Sequence, residues 1–157
     1  MKTTPSGKPG GLRRKSRQAA LALLYQSDMG VPDFSAHLEH YFAQNRLPPK
    51  AKDYAEQLVL GVMEHLQTLD EAITKVSAHW RLDRMNVIDR NILRLAAFEI
   101  LYKSDIPRKV SINEAIEIAK AFGTEDSGSF INGILDRFQK PDEEPKDSPG
   151  EKPENEG

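Results

Sequence analysis

Apolar residues recur along most of this chain at helical spacing, and no segment needs a strand to explain it. The pattern predicts helices over 12–28, 34–45, 49–67, 69–79, 87–103, 112–122 and 125–138. The breaks fall at Gly30 to Asp33, Pro48 and Pro49, Thr68, Arg81 to Asn86, Asp105 to Pro107, and Gly123. Between Val87 and Tyr102 the apolar residues face nearly every direction, interrupted mainly by Arg90, Arg94 and Glu99. That segment is the expected central helix, and its charges must pair, reach water or meet a partner. The expected fold is an all-α single domain of about seven helices.

The stretch from Lys109 to Phe138 reads as two short helices around a tight turn. Ser111 and Glu114 have capping-box spacing, and Gly123 stands where a left-handed residue would end the first helix. Thr124 can accept from the backbone N–H groups that follow it, and Phe130, Ile134 and Phe138 share one face of the second helix. Gly133 is expected to permit close packing, and Trp80 to lie in an interhelical seam.

Composition removes several classes of function. The chain has 157 residues and no cysteine, which excludes disulfides, thiolate metal sites and cysteine nucleophiles. No apolar stretch is long enough to span a bilayer, so a soluble cytoplasmic protein is expected. No GxGxxG, P-loop or GxSxG motif occurs, and the only metal-like pair, His37 and His40, lacks further ligands in an accepted pattern. His65 and His79 read as surface or boundary residues. No enzyme activity, metal or cofactor is expected.

Charge changes the picture more. The net charge is −2, yet residues 1–27 carry +6 with no acid, residues 139–157 carry −4, and residues 28–138 carry the remaining −4. The expected organisation is a flexible basic arm over 1–11, a helical domain over 12–138 and a disordered, acidic, proline-rich tail over 139–157. A basic end on an acidic body suggests a polyanionic partner there, with a merely solvated terminus as the alternative.

In the first helix Arg13, Arg14 and Arg17 fall within a sector about 100° wide, while Lys15 points elsewhere. Leu21, Leu24 and Tyr25 occupy that sector further along, so the helix is expected to project its basic half and bury its later half. Tyr25 lies roughly 16 Å from Arg14 along the axis, a span that several nucleotides of single-stranded RNA could follow. Tyr25 then either stacks a base or is a core tyrosine with a satisfied hydroxyl. Cations at a helix N-terminus oppose its dipole, which favours a role towards a partner.

The segments RRKSRQAALALLYQSD, VIDRNILRLAAFEILY, DIPRKVSINEAIEIAKAFGTEDS and FINGILDRF resemble, in that order and spacing, the NusB family of bacterial transcription antitermination factors. The resemblance runs from about Leu12 to Phe138 and is most specific from Val87 to Leu135. It implies two small perpendicular helical bundles and binding to the single-stranded boxA element of ribosomal RNA transcripts. It also implies joint action with the ribosomal protein NusE in a transcription elongation complex. Position by position, RNA contacts map to Arg13, Arg14, Lys15, Arg17 and Tyr25 and, in the last helix, to Asp126, Ser127 and Phe130. Asp89, together with Tyr25, matches the NusE-facing side. Asp89 and Asp126 each have a simpler reading as acids complementing a helix dipole.

The chain departs from the family pattern at Ser129, where many members carry a lysine, so one phosphate contact is missing and a shallower salt dependence is expected. The acidic tail lies outside the resemblance and is expected to compete with RNA for the basic arm. Two other readings stay open. One is a protein-interaction module working through NusE or a homodimer; the other is a stand-alone relative of the NusB-like domain fused to ribosomal RNA methyltransferases.

Overall fold

The computed structural model describes residues 10–77 and 80–141, and among these it contains seven α-helices, one 3-10 turn and no strand. The helices are α1 (Gly10–Met29), α2 (Phe34–Gln44), α3 (Pro49–Glu64), α4 (Leu66–Ser77), α5 (Val87–Tyr102), α6 (Arg108–Phe122) and α7 (Ser127–Leu135). None is long and apolar enough to cross a membrane. His79, most of the basic arm (1–9) and the acidic tail from residue 142 onward lie outside the described residues.

Local chemistry sets most boundaries. Gly30 turns the chain after α1 with φ +98°, a left-handed backbone that glycine adopts without a Cβ penalty. Asp33 then caps α2 by accepting from the Ala36 N–H, and Asn86 caps α5 by accepting from the Asp89 N–H at 2.8 Å. Pro49 opens α3, where its missing N–H costs no helical hydrogen bond.

The central helix is the expected one. Every residue from Asn91 to Ile100 is buried, and α5 packs against α1, α3, α4, α6 and α7. An N-terminal group, α1 to α3, and a C-terminal group, α4 to α7, thus share one core that includes Leu23, Leu58, Leu93, Ile100 and Leu135. Gly61 lets α3 approach Phe98, since a Cβ there would sit 2.2 Å from the ring.

Several expectations need correction. The break between α3 and α4 lies at His65 rather than Thr68. Ser111 is not a cap: α6 starts one turn earlier, and the Ser111 hydroxyl instead donates to Glu99 at 2.7 Å. Gly123 is extended, with φ −95° and ψ −163°; what requires glycine is Ser127 Oγ, only 2.4 Å from where a Cβ would stand. α7 is shorter than expected at both ends, although Phe138 beyond it remains buried. Gly133 has open space around it, and Trp80 is 53% exposed rather than sealed in a seam. Lys140, assigned to the tail, is buried, and its Nζ donates to the carbonyls of Glu99, Ile100 and Lys103 at the end of α5.

Candidate nucleic-acid interface

The basic residues of α1 divide among three directions. Arg13 turns towards α3, its guanidinium carbon 4.2 Å from the centre of the Tyr54 ring. Arg14 forms a two-pronged pair with Glu114 of α6, at 2.9 and 2.8 Å, with its side chain still 45% exposed. The hydrogen bonds it donates to Glu114 are the main reason its guanidinium is held above its ordinary pKa. Lys15 is exposed.

Arg17 corrects the sequence reading. It is buried, donating from Nε to Glu99 Oε2 at 2.8 Å and lying 3.6 Å from Glu114 Oε1. The inward face set by Leu21 and Leu24 extends one turn further towards the N-terminus than expected, because α5 and α6 both reach that turn. Arg17 therefore answers a buried carboxylate rather than offering charge to a ligand. Glu99 also accepts from the Tyr54 and Ser111 hydroxyls, so residues of α1, α3 and α6 converge on one carboxylate of α5. Burial, then the adjacent Glu99 carboxylate, push the Tyr54 phenol well above its ordinary pKa. Of the three outcomes open to them, the charges of α5 pair: Arg94 binds Asp70 at 2.8 Å and Arg90 binds Asp28 at 3.1 Å.

Tyr25 is 39% exposed, which removes the core-tyrosine reading. It lies one turn before Asp28, whose contacts with Arg90 and Asn91 bring the end of α1 to the start of α5. The α6–α7 turn reaches the same end, because Ser127 donates to Asp89 Oδ1 at 2.7 Å. α1 therefore runs from Arg13 and Arg14 at one end towards the α6–α7 turn at the other.

At that turn the predicted residues separate. Asp126 is exposed, and its N–H donates to Thr124 Oγ1 at 3.3 Å, as Thr124's position suggested. Ser127 and Asp89 are both buried, which corrects their placement on ligand-facing surfaces: each is occupied by the other. Phe130 is half-buried, edge-on to exposed Trp80 with ring centres 5.2 Å apart. Ser129 is exposed. His37 is held by Gln26 Oε1 at 2.5 Å, and no cluster of three or more metal-ligating side chains occurs among the described residues.

Sequence reasoning missed Tyr54, Lys50 and Lys103 and took Glu114 for a capping residue; all four lie close to the basic end of α1. Only Glu99, an acid in the apolar middle of α5, pointed to a buried network there.

Comparison with known proteins agrees with this architecture. A sequence profile described as the NusB family matches residues 14–140. The transcription antitermination protein NusB of Myxococcus xanthus is 48% identical over 131 residues, covering 81% of this chain and 94% of that protein. The Geobacter sulfurreducens protein of the same name is also 48% identical, over 129 residues, covering 82% of this chain and 94% of that protein. Among solved structures, Thermotoga maritima NusB superimposes with a TM-score of 0.73 at 42% identity, covering 87% of this chain and 91% of that one. A chain from a complex of the antitermination factors NusB and NusE with double-stranded RNA superimposes with a TM-score of 0.72 at 25% identity, covering 80% of this chain and 94% of that one. With its helices, their order and nearly its whole described length accounted for in this way, the chain belongs to the NusB family.

Proposed function

We propose that this protein is a non-enzymatic, cytoplasmic RNA-binding antitermination factor that acts on boxA of ribosomal RNA transcripts, jointly with NusE, within the transcription elongation complex. The observation that carries the reading is the exposed series Arg14, Lys15 and Tyr25 along one helix, with Arg13 half-buried beside them and Asp126 exposed at the end to which that helix runs. Cations at one end suit phosphates, and an exposed aromatic further along suits an unstacked base. Relatives at 48% identity bear the antitermination name, and a structural relative was solved with NusE and RNA. The RNA in that complex is double-stranded, so strandedness belongs in the test.

The experiment is binding of labelled boxA RNA, a scrambled strand and a duplex, with and without NusE. It compares the native protein with an Arg13→Ala, Arg14→Ala, Lys15→Ala variant that spares buried Arg17. Preference for boxA that NusE strengthens and the variant loses supports the reading. Equal binding of boxA and scrambled RNA, unaffected by NusE, moves the assignment to a protein-interaction module.

A further inference from the structure

Beside Arg13 lies a cleft of about 450 Å³ between α1, α3 and the turn after α5. That volume is within the range of small-ligand clefts, about 300–1,000 Å³. Arg13, Lys50 and Lys103 supply three cations around it, and Asp53 and Asp105 two carboxylates. Its floor is the Tyr54 ring, with Arg13 stacked at 4.2 Å and Lys103 Nζ 5.6 Å from the ring centre. Lys103 is fixed at both ends: its Nζ donates to Gln57 and its carbonyl accepts from Lys140 at 2.8 Å. None of Arg13, Lys50, Asp53, Lys103 and Asp105 takes part in an ion pair within 4 Å among the described residues.

We propose that this cleft holds one ribonucleotide of the bound RNA, with Lys50 and Lys103 on its phosphate, Arg13 kept beside it on the Tyr54 ring, and Asp53 or Asp105 accepting from its ribose 2′-hydroxyl. The inference rests on the RNA-binding reading and extends it to residues outside the α1 row. The mixed charge selects the ligand. A bare anion would meet two carboxylates, whereas a nucleotide carries both an anion and hydroxyl donors. Because Arg13 already covers the Tyr54 ring, the ring is closed to base stacking, and recognition here falls on the backbone and sugar. The 2′-hydroxyl is the group by which a protein tells RNA from DNA at a given site. Such a contact is independent of sequence, so it adds to affinity for boxA and scrambled RNA alike.

The test is a salt series on boxA RNA, scrambled RNA and the DNA version of each, with native protein and the Lys50→Ala, Lys103→Ala and Asp53→Asn, Asp105→Asn double variants. Helical content by circular dichroism, together with a Lys50→Ala single variant at an exposed position, guards against misfolding. Losing one phosphate contact should make the log–log salt slope shallower by about 0.7 on both RNAs. The carboxamide variant should narrow the preference for RNA over DNA. An unchanged slope in the lysine variants, or an unchanged RNA-to-DNA ratio in the carboxamide variant, overturns the assignment. Loss of boxA preference alone leaves the cleft testable on scrambled RNA, so the two readings fail separately; a native protein that binds no RNA overturns both.

Discussion

The Ser127 hydroxyl donates to the Asp89 carboxylate at 2.7 Å with both side chains buried, tying the start of α7 to the start of α5. Asn86 Nδ2 adds a second donor to that carboxylate at 3.2 Å. The α6–α7 turn, where Asp126 is exposed, is thereby fixed to the central helix. Ser127→Ala should cost about 1–3 kcal/mol, the cost of stripping a partner from a buried polar group. Urea unfolding measures this as a lower midpoint at unchanged slope, and a midpoint equal to native would show the bond to be dispensable.

Arg17 and Glu99 should behave as a coupled pair. Arg17→Met leaves a buried carboxylate without its cation and should destabilise by about 3–5 kcal/mol. Adding Glu99→Gln should cost less than the sum of the two single changes, since the stranded charge is gone. A double-mutant cycle with additive costs would contradict the pairing.

Gly61→Ala should be destabilising despite the higher helix propensity of alanine, because the new methyl would meet Phe98 at 2.2 Å. Overpacking of this kind costs about 1–3 kcal/mol. Thermal unfolding of Gly61→Ala with and without Phe98→Leu checks it, and the smaller side chain should recover part of the loss.

Asp28 gives a prediction in pH. Desolvation is the largest single influence and opposes its ionisation, but hydrogen bonds from Asn91 and Arg90 and the charges of Arg94 and Arg90 outweigh it, so its pKa lies below the ordinary value. A carboxyl depressed on folding contributes stability that is present above its unfolded pKa, about 3.9, and is lost as pH falls through the lower folded value. Asp28→Asn should therefore flatten the acid limb of stability below about pH 4 and leave its shape near neutrality unchanged. An acid limb parallel to native would remove Asp28 from the cause.

The sequence revealed α5 because its apolar residues face all round, and it placed the breaks at Gly30, Pro49 and Asn86 because turn and cap chemistry is local. It misread Ser111 and Glu114 for the same reason. Their spacing suits a capping box, yet one bonds Glu99 and the other Arg14. An i, i+3 pattern cannot distinguish a helix start from a helix face turned towards two neighbours. In the candidate site, the exposure of Arg14 and Lys15 agreed with the pattern, whereas the burial of Arg17, Asp89 and Ser127 depends on which helices lie alongside. The cleft around Lys50 and Lys103 joins residues about fifty positions apart on elements with no shared motif, so nothing local marked it.

The convergence on Glu99 bears on how the protein comes apart. Its carboxylate is satisfied only while Arg17, Tyr54 and Ser111 are all in place, and these sit on helices from both halves of the chain. Detaching α1 or α3 alone would strand a desolvated charge in the remaining half, so partial opening offers little saving over complete unfolding. The two helical groups should melt in one transition. An RNA strand pulling on α1 would then meet a single mechanical body, and its load would pass through α5 into α6 without peeling the first helix away.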